Sequence, residues 1–177
     1  MKLTLKQMLE IAEIAKPAYD SRRRRDLYGF LHTSEASDPA IAEAIDARRY
    51  WGIEHVVGMM CVEHASRSMG MTLEMADSIV SNNFGELAQA IAFGEIDPAF
   101  DAKKPMNHFF VGAVFNLVGR GHYAGLISCI HDHAVRDVVR VDRDGEHIDN
   151  SVVGIQAIDA TTVYRQARNR ATELKIG

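Results

Sequence analysis

Apolar residues recur at helical spacing near both ends of the chain. At the N-terminus they predict an amphipathic helix that ends close to Pro17, and proline can itself begin the next helix. The apolar positions of this first helix are Leu5, Met8, Leu9, Ala12 and Ala15. Residues 161–174 repeat the same spacing and predict an amphipathic last helix.

A longer apolar pattern predicts the central helix of the fold. It begins at Asp38-Pro39, where an N-cap acceptor precedes a proline, and continues to about residue 69. Between Trp51 and Val62 the pattern is apolar on nearly every side of a helix. A helix without a polar face is usually buried, so we expect the helix over about 39–69 to lie at the centre.

Shorter helices are predicted after this segment. Gly70 ends the central pattern, and Thr72 is placed to cap a helix that continues through Val80. A turn follows, and then a helix over residues 86–93 that ends at Gly94. Each boundary is predicted from a residue type that favours the beginning or the end of a helix.

The segment around Gly119-Arg120-Gly121 predicts a helical hairpin. Its arms would span roughly residues 107–118 and 122–135. If the arms are helical and antiparallel, residues equidistant from the turn meet at one height. His108 would then lie opposite the pair His131-Asp132.

The pattern changes over residues 138–155. A β-branched run precedes Asp144-Gly145, which is typical of the turn of a β-hairpin. The sequence therefore predicts a small β-hairpin near 138–155, with a continued helix as an equally supported alternative. The fold class that we expect is mainly α, a single domain over residues 1–177 with six to eight helices.

Composition restricts the function classes. Of the 177 residues, 47% are hydrophobic and 25% charged, as in ordinary globular proteins, and the net charge of −4 does not favour nucleic acid or anionic membranes as partners. The two cysteines, Cys61 and Cys129, are isolated in apolar runs and predict buried, reduced thiols in a cytoplasmic protein. No apolar stretch is long enough to span a bilayer.

Four residues form a candidate metal site: His108, His131, Asp132 and Asp159. Divalent transition metals take imidazole and carboxylate ligands, and a catalytic site keeps one position open for water. The alternative is that these histidines lie near helix ends and are satisfied locally. We predict no other cofactor, since His64 is better explained as a buried, hydrogen-bonded histidine than as a haem ligand.

The order His, His-Asp, Asp resembles the HD superfamily of helical, metal-dependent phosphohydrolases. The resemblance covers residues 108–159. His108 followed by an apolar run is similar to the first ligand helix, and the apolar run ending in His131-Asp132 is similar to the segment that names the family. The resemblance implies that Asp159 supplies the last carboxylate and that the metal activates water to attack a phosphate ester or nucleotide.

Two functional hypotheses follow. The first is a non-enzymatic assembly, structural or regulatory module that works through helix faces, associates with itself or another protein, and forms a homo-oligomer. It is favoured because the sequence contains no nucleophile elbow and no phosphate-binding glycine loop, and because the run Arg22 to Arg25 suits a subunit contact. The second hypothesis is an HD-like phosphohydrolase. Apart from the metal ligands, the sequence predicts no catalytic residue for it.

Overall fold

The computed structural model describes residues 1–32, 51–97, 106–115, 121–130 and 152–176. Helices make up most of the regular structure in these ranges, which confirms the mainly α fold class. The α-helices are α1 (Leu5–Ala12), α2 (Lys16–Arg23), α3 (Ile53–Ser68), α4 (Leu73–Asn82), α5 (Phe84–Ala92) and α6 (Ala160–Glu173), and a short 3₁₀ helix covers Gly29–His32.

The helix boundaries follow local sequence signals. Thr4 caps α1 by accepting a hydrogen bond from the Gln7 backbone N–H at 3.3 Å. The Thr72 hydroxyl accepts from the Met75 N–H at 3.2 Å, which confirms the predicted cap of α4. Gly70 and Gly94 both have a φ of +69°, a conformation that favours glycine after a helix.

The central helix is shorter than predicted. Trp51 forms an antiparallel bridge to Leu3, and the two residues exchange backbone hydrogen bonds of 2.8 and 2.9 Å. Gly52 is extended, with φ −91° and ψ 174°, so α3 begins only at Ile53 and the predicted continuity through residues 51 and 52 is wrong. The remainder of the predicted range, residues 39–50, lies outside the described residues.

The helix α3 is buried on nearly every side, as its apolar pattern predicts. Buried positions occur at almost every step from its first residue to Ala65. They are Ile53, Val56, Val57, Gly58, Met59, Met60, Cys61, Val62, Glu63 and Ala65. Cys61 is buried, as predicted, and forms no disulfide within the described part of the chain.

The predicted helical hairpin is wrong, because the described parts of both arms, residues 107–115 and 122–130, are β-strands. The strands β1 (Met106–Phe115) and β2 (Gly121–Ile130) pair antiparallel, and β3 (Val152–Asp159) pairs antiparallel with the other edge of β1. Consecutive residues Phe109, Phe110 and Val111 are all buried. Since successive side chains of a strand point to opposite faces, β1 is covered on both faces there, and such a strand lacks the alternation that distinguishes strand from helix.

Of the predicted β-hairpin near 138–155, the structure describes only residues 152–155. Residues 152–155 belong to β3, so a continued helix is excluded there, and their partner strand is β1. Residues 138–151 lie outside the described residues.

The chain divides into two compact units. One contains Met1–Ser81 with Val163–Gly177, and the other contains Asn82–Thr162. The first unit holds the buried helix α3, and the second holds the three-stranded sheet. The prediction of a single domain stays a prediction.

Candidate functional site

His108 lies on β1 and is buried, with 7% of its surface exposed. Its backbone N–H donates to the Thr161 hydroxyl at 2.8 Å. Within the described part of the chain, its Nδ1 atom has no hydrogen-bond partner. Burial lowers the pKa of the imidazole, and the nearby charge of Glu95 only partly opposes this effect. The ring is therefore neutral at pH 7.

Asp159, the last residue of β3, holds the beginning of α6. Its Oδ1 accepts from the Thr162 backbone N–H at 2.9 Å, and its Oδ2 accepts from the Thr162 hydroxyl at 2.8 Å. The Asn107 amide also donates to Oδ2, at 3.1 Å. A carboxylate bonded to the third N–H of a helix is a typical N-cap, so this arrangement explains Asp159 structurally.

The sheet register separates these two predicted ligands. Phe109 lies directly opposite Asp159, so their side chains share one face of the sheet. His108 is the neighbour of Phe109 along β1, and its side chain therefore points to the other face. His131 and Asp132 lie outside the described residues. In the ranges that are described, no three His, Cys, Asp or Glu side chains come together as metal ligands do.

The register also differs from the one expected of a helical hairpin. The residue opposite His108 on β2 is Ser128, whereas the hairpin prediction placed Asp132 at that height. Where they are described, the segments in which the sequence resembles the helical HD phosphohydrolases are strands, namely parts of β1, β2 and β3. The four-residue metal site as a whole stays a prediction, since two of its members are not described.

A cluster that sequence reasoning missed surrounds Glu63 on α3. Arg22 of α2 donates from Nε to Oε1 and from Nη2 to Oε2 of this carboxylate, the second bond being 2.8 Å long. The Tyr28 hydroxyl also donates to Oε1. Arg67, one turn further along α3, approaches Oε2 at 3.0 Å. The carboxylate is thus held by three donor side chains. We call Glu63 together with these three side chains the Glu63 cluster.

The Glu63 cluster fixes the charge of its members. Burial would raise the pKa of the Glu63 carboxyl, but hydrogen bonds from Arg22 and Tyr28 and the two arginine charges outweigh it, so the pKa is lowered. The hydrogen bond to Glu63 raises the pKa of Arg22. Burial, followed by the bond to Glu63, raises the pKa of Tyr28 far above its usual range. None of the three exchanges a proton near pH 7.

A second buried carboxylate holds the segment that carries Tyr28. Asp77 of α4 accepts from the Tyr28 backbone N–H at 2.8 Å and from the Ser81 hydroxyl at 3.3 Å. Burial raises the pKa of Asp77, partly offset by these hydrogen bonds. Together Glu63 and Asp77 bind the side chain and the backbone of one residue, so Tyr28 joins the 3₁₀ segment to two helices.

The arginine run is explained largely within the chain. Arg22 belongs to the Glu63 cluster, and Arg25 pairs with Glu74 on α4. The run was expected to suit a subunit contact, but these two arginines pair with acidic residues of their own unit. His64, expected to be buried, is exposed on α3 beside a cavity of about 240 Å³ whose lining includes Glu63, Arg67 and Arg170. Arg170 itself pairs with Glu13 at 2.7 Å.

An apolar groove follows α1 and the turn after it. Its volume is about 760 Å³, and its apolar lining comes from Leu5, Leu9, Ile14 and Ala15. Charged residues complete the lining, namely Lys6, Glu10, Glu13 and Lys16. We call this surface the α1 groove. An apolar floor with a charged rim is typical of a surface that binds an apolar group or another helix.

The sequence matches no known family model and no curated protein. Within the described ranges, no helix has both the length and the apolar character that crossing a bilayer requires.

The charge of Glu63 predicts a pH dependence of stability. Because its pKa is lower in the folded chain than in the unfolded chain, its contribution is complete above the ordinary glutamate pKa of 4.5 and is lost as the pH falls through the folded value. The free energy of unfolding of the wild type should therefore exceed that of Glu63→Gln at neutral pH, and the difference should shrink on acidification. Urea unfolding at several pH values measures it.

The titration of Asp77 does not affect the comparison between the wild type and Glu63→Gln. Its raised pKa has the opposite sign, since protonation favours the folded chain as the pH falls, but it is present in both proteins and cancels in the difference. A difference that stays constant from neutral to acidic pH would show that Glu63 is not held as a charged group.

Proposed function

We propose that the chain acts non-enzymatically, as an assembly or regulatory interaction module that associates with copies of itself through helix faces. The observation that carries this proposal is the α1 groove. Its volume of about 760 Å³ lies within the range of binding pockets, and four of its lining residues are apolar. The groove lies beside an amphipathic helix, an arrangement suited to a second helix as ligand.

The Glu63 cluster supports a structural role over a catalytic one. A general acid or base that works at neutral pH needs a pKa near 7. Here the pKa of Glu63 is lowered and the pKa of Tyr28 is raised, so both move away from that range. Their hydrogen bonds join α2, α3 and the Tyr28 segment, and this supports a rigid scaffold for the groove.

Charge supports protein rather than nucleic acid as the partner. The net charge is −4, and two residues of the arginine run are paired with glutamates. A phosphate backbone is bound by accessible lysine and arginine side chains in excess. The rim of the α1 groove instead carries two lysines and two glutamates.

Light scattering after size exclusion tests this proposal. We expect the wild type to have a mass that is a multiple of the 19.7 kDa chain. Leu5→Glu places a charge in the groove and should move the mass toward one chain, because burying an unpaired carboxylate opposes association. Met75→Glu, at an exposed methionine on α4, is the matched control and should leave the mass unchanged. A wild type that is monomeric at every concentration would overturn the proposal.

A further inference from the structure

We propose that two copies of this chain pair through the α1 groove with their α1 helices antiparallel, so that Lys6 of each copy lies opposite Glu10 of the other. This inference rests on the proposed self-association and specifies where and in which direction it occurs. It follows from the apolar stripe of α1, from the side of that stripe on which the charges lie, and from the order of those charges.

The apolar stripe is formed by Leu5 and Leu9. These residues are four positions apart, so they lie one above the other on the same side of α1. Both line the groove, which Ile14 and Ala15 extend beyond the end of the helix. Leu9 is only 6% exposed and forms the floor of the groove, whereas the half-buried Leu5 is the member of the stripe that a second helix would contact.

The charged residues lie along one flank of that stripe. Lys6 and Glu10 are four residues apart on α1, so they share one side of the helix, next to Leu9, and Glu13 follows the end of the helix with a φ of +54°. Lys6 and Glu10 are exposed and form no ion pair with any residue in the described ranges. Glu13 already pairs with Arg170. Lys6 and Glu10 are thus the charges available to a partner.

This one-sided arrangement is complementary to itself only in the antiparallel direction. A two-fold axis perpendicular to two antiparallel helices brings the same flank of each copy together and reverses the order of its residues. Lys6 then faces Glu10 of the other copy, and Glu10 faces its Lys6. A parallel pair would bring opposite flanks together, so these charges would not meet. The chain therefore supplies the complement of its own groove, which favours a second copy as the occupant.

Charge reversal tests the pairing. The proposed pair contains two equivalent contacts, each between position 6 of one copy and position 10 of the other. In Lys6→Glu both contacts join two glutamates, and in Glu10→Lys both join two lysines. We expect each variant to self-associate about tenfold more weakly than the wild type, because two attractive contacts become repulsive. An equimolar mixture of the two should associate as the wild type does, since every contact in the mixed pair is attractive. Sedimentation velocity at low ionic strength measures all three.

The double variant Lys6→Glu/Glu10→Lys is the control for folding. It restores both the contact across the pair and the spacing of opposite charges within α1, so it should self-associate like the wild type. Single variants that keep the wild-type mass, or a mixture that remains monomeric, would overturn this interface. If the wild type is oligomeric in that case, the proposed function stands without it, whereas a monomeric wild type contradicts both.

Discussion

Replacing Arg22 with alanine should lower the free energy of unfolding by about 3 kcal/mol, the loss typical when one partner of a buried ion pair is removed. The reason is the position of Glu63, which is 5% exposed and receives two hydrogen bonds from the Arg22 guanidinium. Without Arg22, the partners of this carboxylate that remain among the described residues are the Tyr28 hydroxyl and Arg67, whose side chain is 62% exposed. Urea unfolding, read from the midpoint at constant slope, measures the loss.

Arg24 supplies the matched control for this substitution. It lies two residues further along the same segment and is exposed, so Arg24→Ala should change the free energy of unfolding by no more than about 0.5 kcal/mol. Adding Glu63→Gln to Arg22→Ala should restore part of the loss, because the uncompensated charge is removed. Equal losses in Arg22→Ala and Arg24→Ala would show that the Glu63 cluster does not stabilise the fold.

Truncating Met59 should have an effect of similar size for a different reason. Met59 is fully buried on α3, so Met59→Ala removes contacts and leaves a cavity that the surrounding side chains fill only in part. We expect the free energy of unfolding to fall by about 3 kcal/mol, as for other large-to-small changes in a core. Thermal or urea unfolding followed by circular dichroism measures it.

The same change at Met75 is the control, because that methionine is 40% exposed on α4. Met75→Ala should stay within about 0.5 kcal/mol of the wild type. If the two alanine variants lost equal stability, α3 would not be the buried helix around which its unit is packed. The pair of variants therefore tests the role of α3 independently of the ionic contacts around Glu63.

Local signals in the sequence predicted much of the helical part. Thr72 and Gly94 mark helix ends because a hydroxyl accepts a free N–H and glycine adopts positive φ, and both effects act within a few residues. The continuous apolar character of α3 likewise predicted its burial. In these places the local preference and the tertiary structure agree.

The sheet could not be predicted in the same way. Phe109 to Val111 is buried on both faces of β1, and an apolar run without polar partners has no period by which a strand differs from a helix. The start of α3 was misplaced for a related reason. Trp51 forms an isolated antiparallel bridge with Leu3, near the N-terminus. No residue next to Trp51 in the sequence indicates this bridge.

The Glu63 cluster could not be predicted from the sequence because its members are distant along the chain. Arg22 and Glu63 are 41 residues apart, and a run of four arginines does not show which one is buried. An acidic residue inside the apolar pattern of α3 was the one available signal. A charge on the buried side of a helix needs a partner of opposite sign, and Arg22 is that partner.

Tyr28 is a position where the backbone and the side chain favour different amino acids. Its φ of +61° is one that glycine or asparagine adopts with little strain, at a cost of about 1–2 kcal/mol for other residues. Its ring stacks on Tyr19 with centroids 6.3 Å apart, and its hydroxyl reaches Glu63. No single amino acid satisfies both demands, so a more stable chain would need a different backbone path at residue 28 rather than a substitution of Tyr28.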